Sequence, residues 1–318
     1  VTTAIELRQL RKVYELRSGL SKRRVVALEG LDLTLSDGQI FGLLGPNGAG
    51  KSTTIKLLLN IIQPTQGSAH LFGHPPSSVE ARRLVGYLPE NPAPYEYLTG
   101  QEFVEYAGRL SGLTGSALKR RVDAVIEQVQ MGQARGLQIR RYSKGMIQRI
   151  SLAQALVAEP RVLILDEPTS GLDVLGRQLI RDIILAERKR GTTVLFCSHI
   201  IPDVEALCDR VAVLIGGKLV REGAVSDLLR GETNEVELVI EGASAEVETA
   251  VRALGAACER SGTTLQVRTE EGRVPELLKV VVEGKATIGS LQRARYSLET
   301  LFLADVRGSD RKVGGVIE

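Results

Sequence analysis

The sequence predicts a parallel α/β domain followed by a small α+β module, and three observations carry that expectation. An apolar run at 40–44 passes through a glycine-rich turn into a helical pattern that starts at Lys51. A second apolar run, 162–165, ends in the adjacent acids Asp166 and Glu167. After 231–234 the composition changes, and the pattern becomes strand, helix, strand, strand, helix, strand. Strands that alternate with helical segments build a parallel sheet with helices packed on it. A length of 318 residues suits one large domain and one smaller one. The expected boundaries are 1–230, with a helical subdomain at about 90–160, then 231–306, then a flexible tail at 307–318.

Taken in order, 4–14 and 25–35 alternate as strands, and the basic, glycine-containing 17–24 between them reads as a solvated hairpin tip, with contact to anionic headgroups as the alternative. Asp37-Gly38 is a hairpin turn signal before the strand at 40–44. A helix follows over 51–61, then a turn at 64–67, a strand with Ala69 and Leu71, and a turn at 73–76. His70 and His74 stand four apart, but Gly73 and Pro75 argue against a helix placing both on one face, and no third ligand lies near, so no metal pair is expected. Residues 85–88 form a short strand, 89–94 a proline-rich surface segment, and 101–129 a helical stretch broken at 113–115. Beyond it come a strand at 162–165, an amphipathic helix over 175–190 closed by Gly191, a strand at 192–196, a hairpin of 210–215 with 218–221, and a short helix at 224–230.

In the C-terminal part, strands are expected at 235–240, about 256–260, 264–269 and 287–292, with helices at 245–254 and 275–283. Val247, Ala250, Val251 and Leu254 share one helix face, and Pro275 and Gly284 sit at a helix start and stop. This order is the split β-α-β of a ferredoxin-like module. Ser297 reads as the N-cap of a last short helix.

Bulk properties narrow the partners. The 43% hydrophobic content supplies a core, and a net charge of +3 without a long basic block gives no reason to expect nucleic acid. The lack of Trp and the 4% aromatic content leave few platforms for stacking bases. Cys197, Cys208 and Cys258 have neither metal nor disulfide spacing, which fits a reducing compartment. No apolar run reaches about 18 residues and no signal-peptide pattern opens the chain, so a cytoplasmic protein that does not span the membrane by itself is expected.

The chemistry concentrates in the glycine-rich turn. Gly45, four residues, then Gly50, Lys51 and Ser52 satisfy the phosphate-loop pattern, with the required strand before and helix after. Gly45, Gly48 and Gly50 let backbone N–H groups turn onto phosphate oxygens, and the helix adds its positive end. Lys51 suits the β- and γ-phosphates, and the Ser52 hydroxyl suits Mg²⁺. Asp166 and Glu167 close a strand whose end should face the ligand crevice. Asp166 then suits Mg²⁺ and Glu167 the attacking water, as general base.

These two motifs define a nucleotide hydrolase. The residues between and after them add a resemblance. Ser143 and Gly145, in Tyr142-Ser143-Lys144-Gly145-Met146, and Ser170-Gly171-Leu172-Asp173 just after the acids, resemble the signature and Asp-loop of the ATP-binding-cassette (ABC) family. The resemblance covers roughly residues 4–230. It implies a P-loop NTPase domain with antiparallel β and helical subdomains. It also implies that Tyr14 stacks on adenine, that the loop residues Gly45, Pro46, Asn47, Gly48, Ala49, Gly50, Lys51, Ser52 and Thr53 hold the phosphates, and that His199 contacts the γ-phosphate. Glu90 falls where the family usually has a glutamine that reaches Mg²⁺ or water; a carboxylate there brings charge and loses the amide donor.

The family's mechanism needs two cassettes, with ATP held between the phosphate loop of one and the signature of the other, so Ser143, Gly145 and Asp173 would act in trans. A second cassette, expected to be a second copy of this chain, is therefore implied as partner. Lys144, Met146 and Tyr142 depart from the family's usual glycine, glutamine and leucine, while Lys51, Asp166, Glu167 and His199 are all in place, which implies active hydrolysis. The form of the signature, Leu88-Pro89-Glu90 and the small C-terminal module resemble ATPase subunits of bacterial ABC-2 type exporters. That resemblance implies a separate multipass permease docking near 91–118, a place on the cytoplasmic face of the cell membrane, and a dimerisation or regulatory role for the C-terminal module. The alternatives are a soluble cassette ATPase acting on nucleic acid or ribosomes, which would be expected to carry twin cassettes, a coiled-coil insertion or a basic arm, and an importer ATPase, whose C-terminal domain would be barrel-like.

Overall fold

The structure, a computed structural model, describes residues 2–18, 21–229, 235–293 and 297–302. It divides into two compact units, the first running to Val225 and the second from Ser226 to Ala304.

In the first unit a six-stranded sheet has the order β5-β6-β7-β3-β8-β9. Its members are β3 (Ile40–Leu44), β5 (Val85–Leu88), β6 (Val162–Asp166), β7 (Thr193–Ser198), β8 (Arg210–Ile215) and β9 (Lys218–Ala224). All neighbours are parallel except β8 and β9, which form the expected hairpin. Every residue of β3, β6 and β7 is buried, as strands covered on both faces must be, which is why their centres read as continuous apolar runs. Cys197 lies in the middle of this core, and Cys208 lies so close to β3 that a Cβ on Gly42 would stand 3.0 Å from its sulfur.

A three-stranded antiparallel sheet, β2-β1-β4, packs beside it; its strands are β1 (Thr3–Ser18), β2 (Ser21–Ser36) and β4 (Gln66–Leu71). Ile5, Leu7, Leu28, Leu31 and Leu35 of this sheet share one core with Phe41 and Leu43 of β3 and with Ile55 of α1 (Lys51–Leu58). The antiparallel sheet therefore braces the strand and helix on either side of the glycine-rich turn. The helical part contains α3 (Gly100–Leu110), opened by a Thr99–Glu102 capping box, α4 (Gly115–Gln128) and α5 (Lys144–Leu156). The crossover helices α6 (Val174–Lys189) and α7 (Ile201–Leu207) follow β6 and β7.

Several expectations change. Asp37-Gly38 does turn the chain, with Gly38 at φ +76°, but β2 and β3 belong to different sheets and do not pair. A fully buried strand has no solvated side to offer an alternating partner, so the turn signal marks a change of sheet. The ladder of β1 with β2 runs out to Ser18 opposite Ser21, leaving a shorter tip than 17–24. Helix α1 stops at Leu58 because Asn60 takes φ +56° and Ile61 N–H donates back to Lys56 O at 2.9 Å, a left-handed cap. The short helices α2 (Val79–Arg83) and α7 had no sequence-level expectation, since five and seven residues are too few to show a helical period. His70 and His74 lie on either side of a turn, and among the described residues no group of three or more His, Cys, Asp or Glu could hold a metal ion.

The second unit has strands β10 (Glu235–Glu241), β11 (Ala257–Ser261), β12 (Thr264–Glu270) and β13 (Thr287–Arg293) in the order β11-β12-β10-β13, all antiparallel. Helices α9 (Ala245–Ala253) and α10 (Val274–Glu283) cover one face, where Val247, Val251, Leu277 and Val281 meet Val236, Leu238, Ile240, Leu265 and Val267. The helix between β9 and β10 is α8 (Val225–Leu228). Ser297 Oγ accepts from Thr300 N–H at 3.2 Å, as an N-cap does. The linker at 231–234 and the tail at 307–318 lie outside the described residues.

Strand β5 sits tightly under α5: a Cβ on Gly86 would stand 2.2 Å from the Ala155 carbonyl oxygen. Gly86→Ala is expected to destabilise the protein by roughly 1–3 kcal/mol. Gly136→Ala, with nothing within 4 Å of its Cβ, should change stability by less than about 0.5 kcal/mol. Denaturant midpoints of the two variants check the pair.

Candidate functional site

The turn after β3 has no space for side chains. A Cβ on Gly45 would fall 2.4 Å from Leu214 O and 2.7 Å from Ala49 Cβ. Gly48 takes φ +82°, and Gly50, at φ +110°, caps α1 with its would-be Cβ 2.8 Å from Ala27 O. Pro46 and Asn47 span the turn, and Ala49 N–H donates to Pro46 O at 3.1 Å. Helix α1 carries neither an acid in its first turn nor a side-chain cap, so its free N–H groups and positive end remain for an anion. Lys51 is buried and its Nζ donates to Gly45 O at 2.5 Å and to Pro46 O at 3.4 Å, which holds the ammonium against the loop. Ser52 is exposed and Thr53 half-buried on the same turn of helix.

Asp166 ends β6, the second strand over from β3, Glu167 follows it on the turn, and both are buried. Burial, then the neighbouring charges of Glu167 and Glu90, push the Asp166 carboxyl up to about 6, against the opposing pull of Lys51. Glu167 adopts φ +50°, a left-handed backbone uncommon for a residue with a side chain. Its N–H donates to Cys197 O at 2.8 Å, which ties it to β7. Its Oε2 lies 2.8 Å from His199 Nδ1, and Ser198 Oγ donates to the same oxygen at 3.3 Å while accepting from Ile200 N–H at 3.0 Å. His199 itself is more than half exposed, so the imidazole reaches from the buried carboxylate to solvent. Geometrically, this is a carboxylate with a defined orientation beside a phosphate-sized loop. Asp166 and Ser52 are the residues that could hold a divalent cation, whose charge would offset the burial and the neighbouring carboxylates that raise the Asp166 pKa.

A second groove is lined by Ser143, Lys144, Gly145, Gly171, Leu172 and Asp173, among others. Ser143 caps α5 by accepting from Met146 N–H at 3.3 Å, and Asp173 caps α6 by accepting from Gly176 N–H at 2.8 Å. Two helix N-termini and two loops thus share one concavity, and no described residue of 45–53 lines it. Val174 and Leu175, beside Asp173, are 82% and 80% exposed, large apolar side chains left in water.

The structure therefore gathers the sequence-predicted residues into two groups. One contains the loop 45–53, Asp166, Glu167 and His199; Glu90 is exposed but near enough to act on Asp166. Tyr14, half-buried with Lys12 Nζ 5.3 Å from its ring centre, pairs with Val25, two residues from the Ala27 carbonyl that abuts Gly50. The other group contains Ser143, Gly145 and Asp173. Sequence reasoning passed over Ser198, Gln148, Thr169 and Asp203, all buried polar residues around the acidic turn. The available signal was a lone polar residue in an apolar setting, such as Asp203 among Ile200, Ile201, Val204 and Leu207.

Comparison with known proteins agrees with this geometry. The family model described as ABC transporter matches residues 28–170. An uncharacterized ABC transporter ATP-binding protein of Nostoc is 41% identical, covering 97% of this chain and 91% of its own. The Nod factor export ATP-binding protein I of Cupriavidus pinatubonensis is 35% identical over 95% and 90%. A solved structure of an ATP-binding subunit of an ABC transporter superposes with a TM-score of 0.63 at 28% identity, over 71% of this chain and 91% of that one.

The pKa of Asp166 has a measurable consequence. Between about pH 4 and 6 the unfolded carboxyl has ionised while the folded one still holds its proton, so stability falls as pH rises through that window. The loss should amount to roughly 2–3 kcal/mol. Asp166→Asn removes it: relative to wild type, the nucleotide-free variant gains unfolding free energy from about pH 4 to 6 and holds a constant advantage above, as denaturation at several pH values would show.

Proposed function

This chain belongs to the ABC transporter family as its ATP-binding and hydrolysing subunit, and from that premise we propose that two copies close on two ATP molecules and drive a separate export permease. The observation that carries the reading is the separation of the two residue groups, each of which offers half of a nucleotide site. The loop 45–53 with Lys51 binds the phosphates, and the Tyr14 ring stacks on adenine. Ser52 and Asp166 would hold Mg²⁺, with Glu90, whose charge acts on Asp166, as a further oxygen donor to the ion or its water; the ion would neutralise phosphate charge. Glu167, oriented by Ser198 and His199, takes the proton of the attacking water, and His199 extends toward the γ-phosphate.

The groove of Ser143, Gly145 and Asp173 closes on the γ-phosphate bound to the other copy, and the positive N-terminal end of α5 favours that anion. Burying Val174 and Leu175 of both copies favours the closed pair. Among the described residues no helix is long and apolar enough to cross a membrane, so transport requires a permease. Val85, Pro89, Pro92, Tyr95, Phe103 and Tyr106 line an apolar groove beside α3 that suits one of its helices, which would place the subunit at the cytoplasmic face of the membrane. The strand order of the second unit fits a ferredoxin-like accessory module, in dimerisation or regulation. An export direction rests on relatives such as the Nod factor export protein.

Glu167→Gln is expected to lower ATP turnover by roughly 10²–10⁴-fold with ATP binding retained, and ATP should then hold the variant as a dimer in light scattering. An unchanged rate removes Glu167 as the base, and a monomer at saturating ATP removes the shared site. Purifying the tagged chain from detergent-solubilised membranes should recover a stoichiometric multipass protein; recovery with ribosomes or DNA instead would overturn the transport reading.

A further inference from the structure

Glu167 and His199 sit on two separate loops, yet their side chains meet at 2.8 Å. Downstream of each, the loops are tied a second time. Two residues after Glu167, Thr169 Oγ1 donates to Asp203 Oδ2 at 2.6 Å, and Asp203 lies four residues after His199, on α7. Thr169 is 0% and Asp203 1% exposed, so water cannot substitute for either partner. The other oxygen of Asp203 takes the guanidinium of Arg181 from α6. From the opposite side, Gln148 of α5, also buried, donates from Nε2 to Pro168 O at 3.2 Å. The turn that keeps Glu167 at φ +50° is thus held directly by α5 and α7 through buried polar bonds, and α6 braces the second of these through Arg181.

A left-handed backbone at a non-glycine residue persists only where its surroundings over-determine it. The Ser198 hydroxyl and the His199 imidazole fix the carboxylate itself, but neither fixes the backbone beyond it. We propose that the Thr169–Asp203–Arg181 chain is a positioning device for the hydrolytic site: it locks the two loops in register so that Glu167 and His199 face the same point. The chain touches neither nucleotide nor water in this account and acts only through Glu167. Because Arg181 belongs to the helix that Asp173 opens, a shift of that helix reaches the carboxylate through the same bonds.

The inference rests on Glu167 being the base, and a double-mutant cycle separates the two claims. Thr169→Val removes the hydroxyl at nearly constant volume. It is expected to lower single-turnover ATP hydrolysis by roughly ten- to a hundredfold, with ATP affinity unchanged, and Thr169→Ser should restore the rate. On a Glu167→Gln background, Thr169→Val should cost nothing further, because the group it positions is already gone. A full additional loss on that background, or an unchanged rate in Thr169→Val alone, overturns the positioning role. An unchanged rate in Glu167→Gln alone instead marks failure of the base assignment. Should Thr169→Val fail to fold, Asp203→Asn takes its place in the same cycle with the same expected non-additivity.

Discussion

Keeping Lys51, Asp166 and Glu167 buried together at one edge of a parallel sheet is the constraint on which the rest of this structure depends. Charges taken out of water are costly unless something holds them. Here the ammonium rests on loop carbonyls, Glu167 on Ser198 and His199, and Asp166 shows the remaining imbalance as a raised pKa. The fully buried strands β3, β6 and β7, apolar along most of their length, are the counterpart of this arrangement: they bury enough surface to carry its polar end. The antiparallel sheet completes it by closing over Gly50 and fixing where α1 begins.

The two residue groups differ in what they need. The loop and acids are held from within the loop and from β7, α5 and α7, several of the bonds coming from buried side chains. The groove between α5 and α6 is built from two helix N-termini capped by Ser143 and Asp173, and the apolar Val174 and Leu175 beside it face water. One half is finished and the other awaits a surface.

Legibility in the sequence followed the range of the interactions. The phosphate loop was readable because its chemistry lies within nine consecutive residues, and the second unit because alternation in β10 and β12 and the helical period of α9 are local patterns. Position in a familiar series of motifs, not spacing, pointed to His199; its contact with Glu167 spans 32 residues and is set by β6 lying beside β7. Gln148, Thr169 and Asp203 could not be read, since each bonds across 20 or 34 residues and each resembles an ordinary polar residue near a helix. Asp37-Gly38 misled for a related reason: a turn dipeptide reports chain reversal, while the partner of the next strand is decided by burial.

The cysteines have a practical consequence. Cys197 and Cys208 are closed inside the first unit, and burial raises both thiols well above their ordinary range, so neither offers a thiolate to a reagent. Cys258, half-buried on β11, is also raised by burial but is the one of the three not enclosed. The native chain therefore carries a single natural attachment point for a fluorophore or spin label, located in the second unit. A probe there would follow that unit through a nucleotide cycle without altering any residue of the site, while the two hidden thiols would label only as the first unit opens.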